Sequence, residues 1–125
     1  MTTTNNTMEN QPISFVIKND WVKDDCGWGN GYVAVPPNHP LHRVDFNSWE
    51  DNVPSLNVPS EITWSNKAGF LKGEPTIPSD WWVIGFDTRH RGETLKNRPK
   101  NLVEKWTEKL LQEVIKYKVP VTEGK

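Results

Sequence analysis

The chain has 125 residues, a formal net charge of −1 and a sequence pI of about 6.3, a size that suits one domain able to bury a core without covalent staples. The near-neutral charge excludes the extended cationic face that bulk nucleic-acid binding needs, but not a local cationic pocket. One cysteine, Cys26, excludes an internal disulfide and suits a reducing compartment, and no apolar run reaches the length of a membrane span.

Met1 to Gln11 is rich in Thr and Asn and is expected to be a disordered tail. It lacks the charged and apolar regions of a signal peptide, so the expected location is the cytoplasm. A single domain is expected over 12–119, with a short tail over 120–125. Ile13 to Ile17 reads as a strand with Ile13, Phe15 and Ile17 on one face. Asn19 and Asp20 mark a turn, after which Trp21 and Val22 continue the pairing. Trp28-Gly29-Asn30-Gly31 reads as a type I′ hairpin turn, because Asn-Gly tolerates positive φ angles. Tyr32 to Val35 follows as a strand, stopped by Pro36 and Pro37, which cannot donate to a ladder. Asn38-His39-Pro40 makes a second fixed turn.

Asp45 to Ser60 reads as a long connection with one helical turn near Ser48 to Asp51. Glu61 to Trp64 and Phe70-Leu71 read as strands, and Glu74 to Asp80 as a loop. Trp81 to Phe86 is an uninterrupted apolar run that suits a central strand buried on both faces. The clearest element is a C-terminal helix that has Pro99 in its first turn, preceded by Asn97 or Arg98. Leu102, Trp106, Leu110 and Val114 recur at four-residue spacing, and Val103, Leu111 and Ile115 widen the stripe. Glu104, Lys105, Glu108, Lys109 and Glu113 fill the other face, and Pro120 prevents extension. The expected architecture is α+β, a mainly antiparallel sheet with one long C-terminal helix packed on a face. At least four of the seven tryptophans are expected in the core.

Two blocks carry a resemblance. Gly31-Tyr32-Val33-Ala34-Val35-Pro36-Pro37-Asn38-His39-Pro40 resembles a Gly-Tyr-Val strand that ends in a His-Pro turn. Trp81-Trp82-Val83-Ile84-Gly85-Phe86-Asp87-Thr88-Arg89-His90-Arg91-Gly92-Glu93 resembles a Trp-Trp strand followed by Gly-Phe-Asp, His and Gly-Asp/Glu. Both blocks, in this order and followed by a helix, resemble a family of small uncharacterised proteins of phages and bacteria. That family has a His-Gly-Gly-Leu-Thr strand between the blocks. The matching stretch here, Ser60 to Ser65, lacks the histidine and both glycines, and Glu61 stands in their neighbourhood. The resemblance implies sites and a phage-like origin rather than a reaction.

Three groupings could carry chemistry. Asp87-x-x-His90-x-x-Glu93 sits at the end of the buried strand, where a rigid sheet delivers side chains to a surface. His39-Pro40-Leu41-His42 would add imidazoles, which suit zinc beside Asp87 and His90. Its spacing matches no strong metal motif, and neither a metal nor another cofactor is expected. Arg89, Arg91, Lys96, Arg98 and Lys100 crowd one stretch that leads into the helix N-terminus, where free N–H groups and the helix dipole favour an anion. Arginine recognises phosphate bidentately, and tryptophan stacks on flat rings. No phosphate-cradling glycine loop or serine nucleophile elbow is present. The acidic neighbours Asp24 and Asp25 disfavour a Cys26 thiolate.

The leading reading is a binding protein for a small anionic, nucleotide-like ligand, with Arg89, His90, Arg91, Asp87, Arg98 and His39 as ligand-binding residues. The phage-like resemblance adds the expectation of an anti-defence protein that sequesters a signalling nucleotide. The alternative is a small hydrolase or phosphodiesterase with His90, Asp87 and His39 as its catalytic set. A third is a protein–protein inhibitor anchored by exposed tryptophans. Neither bulk nucleic acid nor a membrane is an expected partner, and the oligomeric state, homo-oligomer included, is left open.

Overall fold

The computed structural model describes residues 11–19, 26–46, 54, 56–70 and 77–118. The sequence expectations for the N-terminal tail up to residue 10, Trp21 and Val22, Ser48 to Asp51, Leu71 and the C-terminal tail lie outside those residues. The fold is α+β. Strands β1 (Ile13–Lys18), β2 (Gly29–Val35), β3 (Trp64–Lys67) and β4 (Trp82–Phe86) form one sheet in the order β1-β2-β4-β3, with every neighbour antiparallel. Among the described residues one α-helix, α1 (Lys100–Lys116), lies against β1 and β2. Among the described residues no helix is long and apolar enough to cross a membrane.

Period-two alternation divides the sheet into two faces. Val33, Val35, Ile84 and Phe86 meet Val103, Leu110 and Val114 of α1, with Leu41 closing the same core. Ala34 and Val83 face the other way, with Phe15, Tyr32 and Trp64 beside them and Ala68, Trp81 and Ile77 against them. The adjacent residues Trp81 and Trp82 therefore serve opposite faces. All five described tryptophans pack on one core or the other or stack with it, but only Trp81 is buried; Trp28, Trp64, Trp82 and Trp106 are half-exposed. The expectation that at least four tryptophans serve the core holds, with most of the rings at its edge.

Several boundaries depart from the sequence reading. Gly29-Asn30-Gly31 is not a hairpin turn but the start of β2, paired with Lys18, Ile17 and Val16. Glycine is needed there for close approach rather than for a turn: a Cβ on Gly29 would lie 2.2 Å from the Ile17 carbonyl. The strand expected at Glu61 to Trp64 begins at Trp64 and runs to Lys67, and Phe70 closes a 3-10 turn, Ala68–Phe70, instead of a strand. Pro99 is the N-cap of α1 rather than its first helical residue. The buried stripe of α1 is Val103, Thr107, Leu110 and Val114, turned from the expected one, so that Leu102 and Trp106 are half-buried and Ile115 is 47% exposed. Thr107 fits the core because its hydroxyl donates back to the Val103 carbonyl at 2.6 Å. It also faces Gly31, where a Cβ would come within 2.0 Å of that hydroxyl oxygen.

Candidate functional site

The antiparallel register fixes what each end of the sheet presents. Val35 pairs with Trp82 and Gly31 with Phe86. The turn after β2, with His39, His42 and Arg43, therefore shares an end with the start of β4. The loop after β4, with Asp87, His90 and Glu93, occupies the other end. β4 alone spans five residues, or roughly 16 Å.

At the loop end, Thr88 anchors the chain. It is buried, its hydroxyl donates to the Gly29 carbonyl at 2.7 Å, and its own carbonyl accepts from Gly27 N–H. Asp87 accepts from Thr63 Oγ1 at 3.3 Å and from Arg89 N–H at 3.2 Å. Gly92, at φ 88°, turns the chain so that Glu93 folds back on His90. Glu93 Oε1 accepts from His90 N–H at 2.9 Å and from His90 Nδ1 at 2.8 Å, while Oε2 accepts from Arg98 Nε at 2.9 Å. His90 Nε2 lies 3.7 Å from Asp87 Oδ1. Burial pushes Glu93 up, but the His90 and Arg98 hydrogen bonds outweigh it and hold its carboxyl below the usual range. Its bond to Glu93 in turn raises the His90 pKa.

The loop end therefore gathers Asp87, His90, Glu93 and Arg98 into a charge-balanced network. Arg89, Arg91, Lys96 and Lys100 are exposed around it. The guanidinium of Arg98 lies 4.9 Å over Trp106 and the Lys100 ammonium 5.5 Å over Trp28. The first turn of α1 has no acidic residue and no side-chain cap. Ligand atoms of Asp87, His90 and Glu93 lie within 4.8 Å of one another, close enough to hold a cation. A metal there would have to displace the imidazole proton and share Glu93 with a guanidinium, which opposes its charge. The zinc set of His39, His42, Asp87 and His90 is not assembled.

His39 does not join the loop. Its Nε2 donates to the Val114 carbonyl at 2.9 Å, near the end of α1, and its Nδ1 accepts from Leu41 N–H at 3.0 Å. Both ring nitrogens are thus occupied in holding the turn against the helix. Burial lowers its pKa. The set of His90, Asp87 and His39 expected for a hydrolase is divided between opposite ends.

The His39 end holds a concavity. A cavity of 490 Å³ is lined by Pro37, His42, Arg43, Lys67, Gly69, Ser79, Asp80 and Trp82, a volume within the usual range for small-molecule sites. Three chain segments build it. Consecutive turns carry the 36–44 stretch: His39 N–H donates to Pro36, His42 N–H to His39 and Val44 N–H to Leu41. Trp82 is fixed by its Nε1 donating to the Val44 carbonyl at 2.8 Å. The His42 ring stands 6.4 Å from the indole, and its Nε2 donates to the Asp80 carbonyl at 2.7 Å. The sequence marks His39-Pro40-Leu41-His42 as a candidate grouping, and the structure adds Arg43 from the same turn, but Lys67, Ser79 and Trp82 join it only through strand order. No short motif announces them.

Compared with known proteins, the chain matches no family model, no curated protein and no solved structure.

Proposed function

We propose that this protein binds a small anionic ligand of the phosphate-bearing, nucleotide-like class. The observation that carries the reading is the 490 Å³ cavity walled by Arg43, Lys67, His42 and Trp82. Two cations suit phosphate oxygens, and an indole held in place by its own hydrogen bond suits a flat ring. Asp80 is the opposing carboxylate and disfavours an anion, but Arg43 and Lys67 outnumber it. Binding is favoured over turnover because the expected acid–base set is split and both ring nitrogens of His39 are occupied. The interaction reading has less support. The exposed large apolar residues among those described, Ile13, Leu95 and Ile115, lie on separate elements. Sequestration of a signalling nucleotide in the cytoplasm, as the phage-like blocks imply, is the biological role this reading serves.

A second reading places the phosphate at Arg89, Arg91 and the uncapped start of α1, with Asp87 and His90 orienting it; the absence of an acid from that first turn favours it. Calorimetric titration with inorganic phosphate and with mono-, di- and cyclic nucleotides tests both. Saturable binding with intact ligand recovered by chromatography is expected. Lys67→Ala should weaken binding about tenfold or more and Arg91→Ala should leave it unchanged. The reverse pattern moves the site to the loop end. Conversion of the ligand points to the hydrolase, and no binding at all removes the proposal.

A further inference from the structure

We infer that Arg43 is the residue that grips the ligand's phosphate in this cavity, and that its left-handed backbone is kept for that contact. The inference rests on the binding reading above and names its specificity-determining residue. Arg43 has φ 72°, and no other non-glycine residue among those described has a positive φ. A Cβ in that region crowds the residue's own carbonyl, a cost that glycine does not incur. The turn itself asks only for the backbone conformation, so glycine would satisfy the fold better than arginine does. Strain of this kind is found where a side chain must be aimed.

The frame around residue 43 shows what the aim is. Leu41 is fully buried on one side, and on the other the Val44 carbonyl is tied to Trp82 Nε1. The positions before and after are therefore fixed, and the left-handed residue between them lines the cavity beside Lys67, His42 and Trp82. Arg43 is exposed, and neither it nor Lys67 forms an ion pair among the described residues. A planar guanidinium and a fixed indole lining one cavity match a phosphomonoester carried on a flat ring, a mononucleotide rather than bare phosphate. The ring supplies area against Trp82, and the terminal phosphate takes two parallel hydrogen bonds.

The test compares wild type with Arg43→Gly, Arg43→Ala and Arg43→Lys, using thermal melts and calorimetric titration with inorganic phosphate and the four ribonucleoside monophosphates. Arg43→Gly should melt about 3–5 °C higher, through relief of the left-handed strain, yet bind a monophosphate about tenfold or more weakly. Arg43→Ala should lose the same affinity without the gain in stability. Arg43→Lys should keep part of the affinity, since it keeps charge but not the bidentate fork. Inorganic phosphate should bind wild type more weakly than the best monophosphate. If wild type binds and Arg43→Gly binds equally well, the Arg43 inference fails while the binding reading stands. If the glycine variant melts lower than wild type, the strain is not real and the inference fails on that ground. If wild type binds none of the probes, both fall.

Discussion

Glu93 should be the residue on which the loop from Asp87 to Arg98 depends. Its carboxylate is 10% exposed and accepts from a backbone N–H, an imidazole and a guanidinium. Glu93→Ala removes all three bonds and leaves Arg98 facing a void. Breaking a fully buried pair from one side costs about 3–5 kcal/mol. Here the cations are wetter, with Arg98 29% and His90 49% exposed, so solvent recovers part of that and about 2–3 kcal/mol is expected. For a domain of this size the thermal midpoint should fall by roughly 6–15 °C. The pH dependence supplies a second readout. His90 has its pKa raised from 6.5, so its contribution is complete below that value and fades as pH rises through the raised one. Glu93 has its pKa lowered from 4.5, so its contribution is complete above that value and fades as pH falls through the lowered one. The network is firmest between the two ordinary values. His39, whose pKa burial lowers, acts in the opposite sense to His90, losing stability as pH falls below 6.5. The informative quantity is therefore the difference between wild type and Glu93→Gln, measured by urea unfolding at pH 5.5 and pH 8.5. That difference should be larger at pH 5.5. A loss under about 0.5 kcal/mol for Glu93→Ala, or a difference that grows toward alkaline pH, would refute the network as a structural clamp.

Gly31→Ala should destabilise by about 1–3 kcal/mol through overpacking, since its Cβ would meet Thr107 Oγ1 at 2.0 Å and the Phe86 ring at 2.6 Å. A chemical denaturation midpoint unchanged from wild type would show that α1 can lift from the sheet at no cost. Trp106→Ala should cost about 2–3 kcal/mol, below the range of about 3–5 kcal/mol for a buried large aromatic, because the ring is half-exposed, with contacts to Phe86 and Arg98. A loss as large as that of a fully buried ring, in the same unfolding measurement, would contradict the observed rotation of α1.

What the sequence made legible followed from pattern length. α1 was readable because its apolar residues recur over four turns and Pro99 marks its start. β4 was readable because an unbroken apolar run has few other places to go in a small domain. The rotation of the buried stripe toward Thr107 was not readable, since a threonine counts as polar until its hydroxyl is seen to bond Val103 and its partner is seen to be a glycine. Gly29-Asn30-Gly31 misled for a related reason. The same residues serve a positive-φ turn or a close strand contact, and only the Ile17 carbonyl opposite decides between them. The D-x-x-H-x-x-E spacing correctly drew Asp87, His90 and Glu93 into one group, because all three lie in one turn. His39 was wrongly drawn toward them because sequence gives no strand order, and the β2–β4 register sends the two histidines to opposite ends.

The same register turns the choice between the two cationic regions into a question of which cations are available. At the loop end, Arg98 already holds Glu93, a carboxylate 10% exposed. Moving that guanidinium onto a ligand phosphate would gain a charge-assisted bond worth about 1.5–3 kcal/mol. It would also strip a buried carboxylate of a partner, at about 3–5 kcal/mol before solvent recovers its share, so the exchange is at best neutral. His90 is bound by the same logic, since Glu93 and Asp87 flank its ring at 2.8 Å and 3.7 Å. What remains at that end is exposed cations around a filled network, where each phosphate contact is screened by water and salt. At the cavity end, Arg43 and Lys67 form no ion pair among the described residues, and Trp82 and Pro37 give the site walls that exclude part of the solvent. Arg43 is exposed too, so a phosphate contact made there is also screened, but among the described residues no ion pair has to be released to form it. If the site is instead at the loop, ligand binding must open the Glu93–Arg98 pair. Raised ionic strength would then weaken the pair and the ligand contact together. A site at the cavity would lose affinity with salt while leaving the loop's contribution to stability, read from the Glu93→Gln difference, unchanged by ligand.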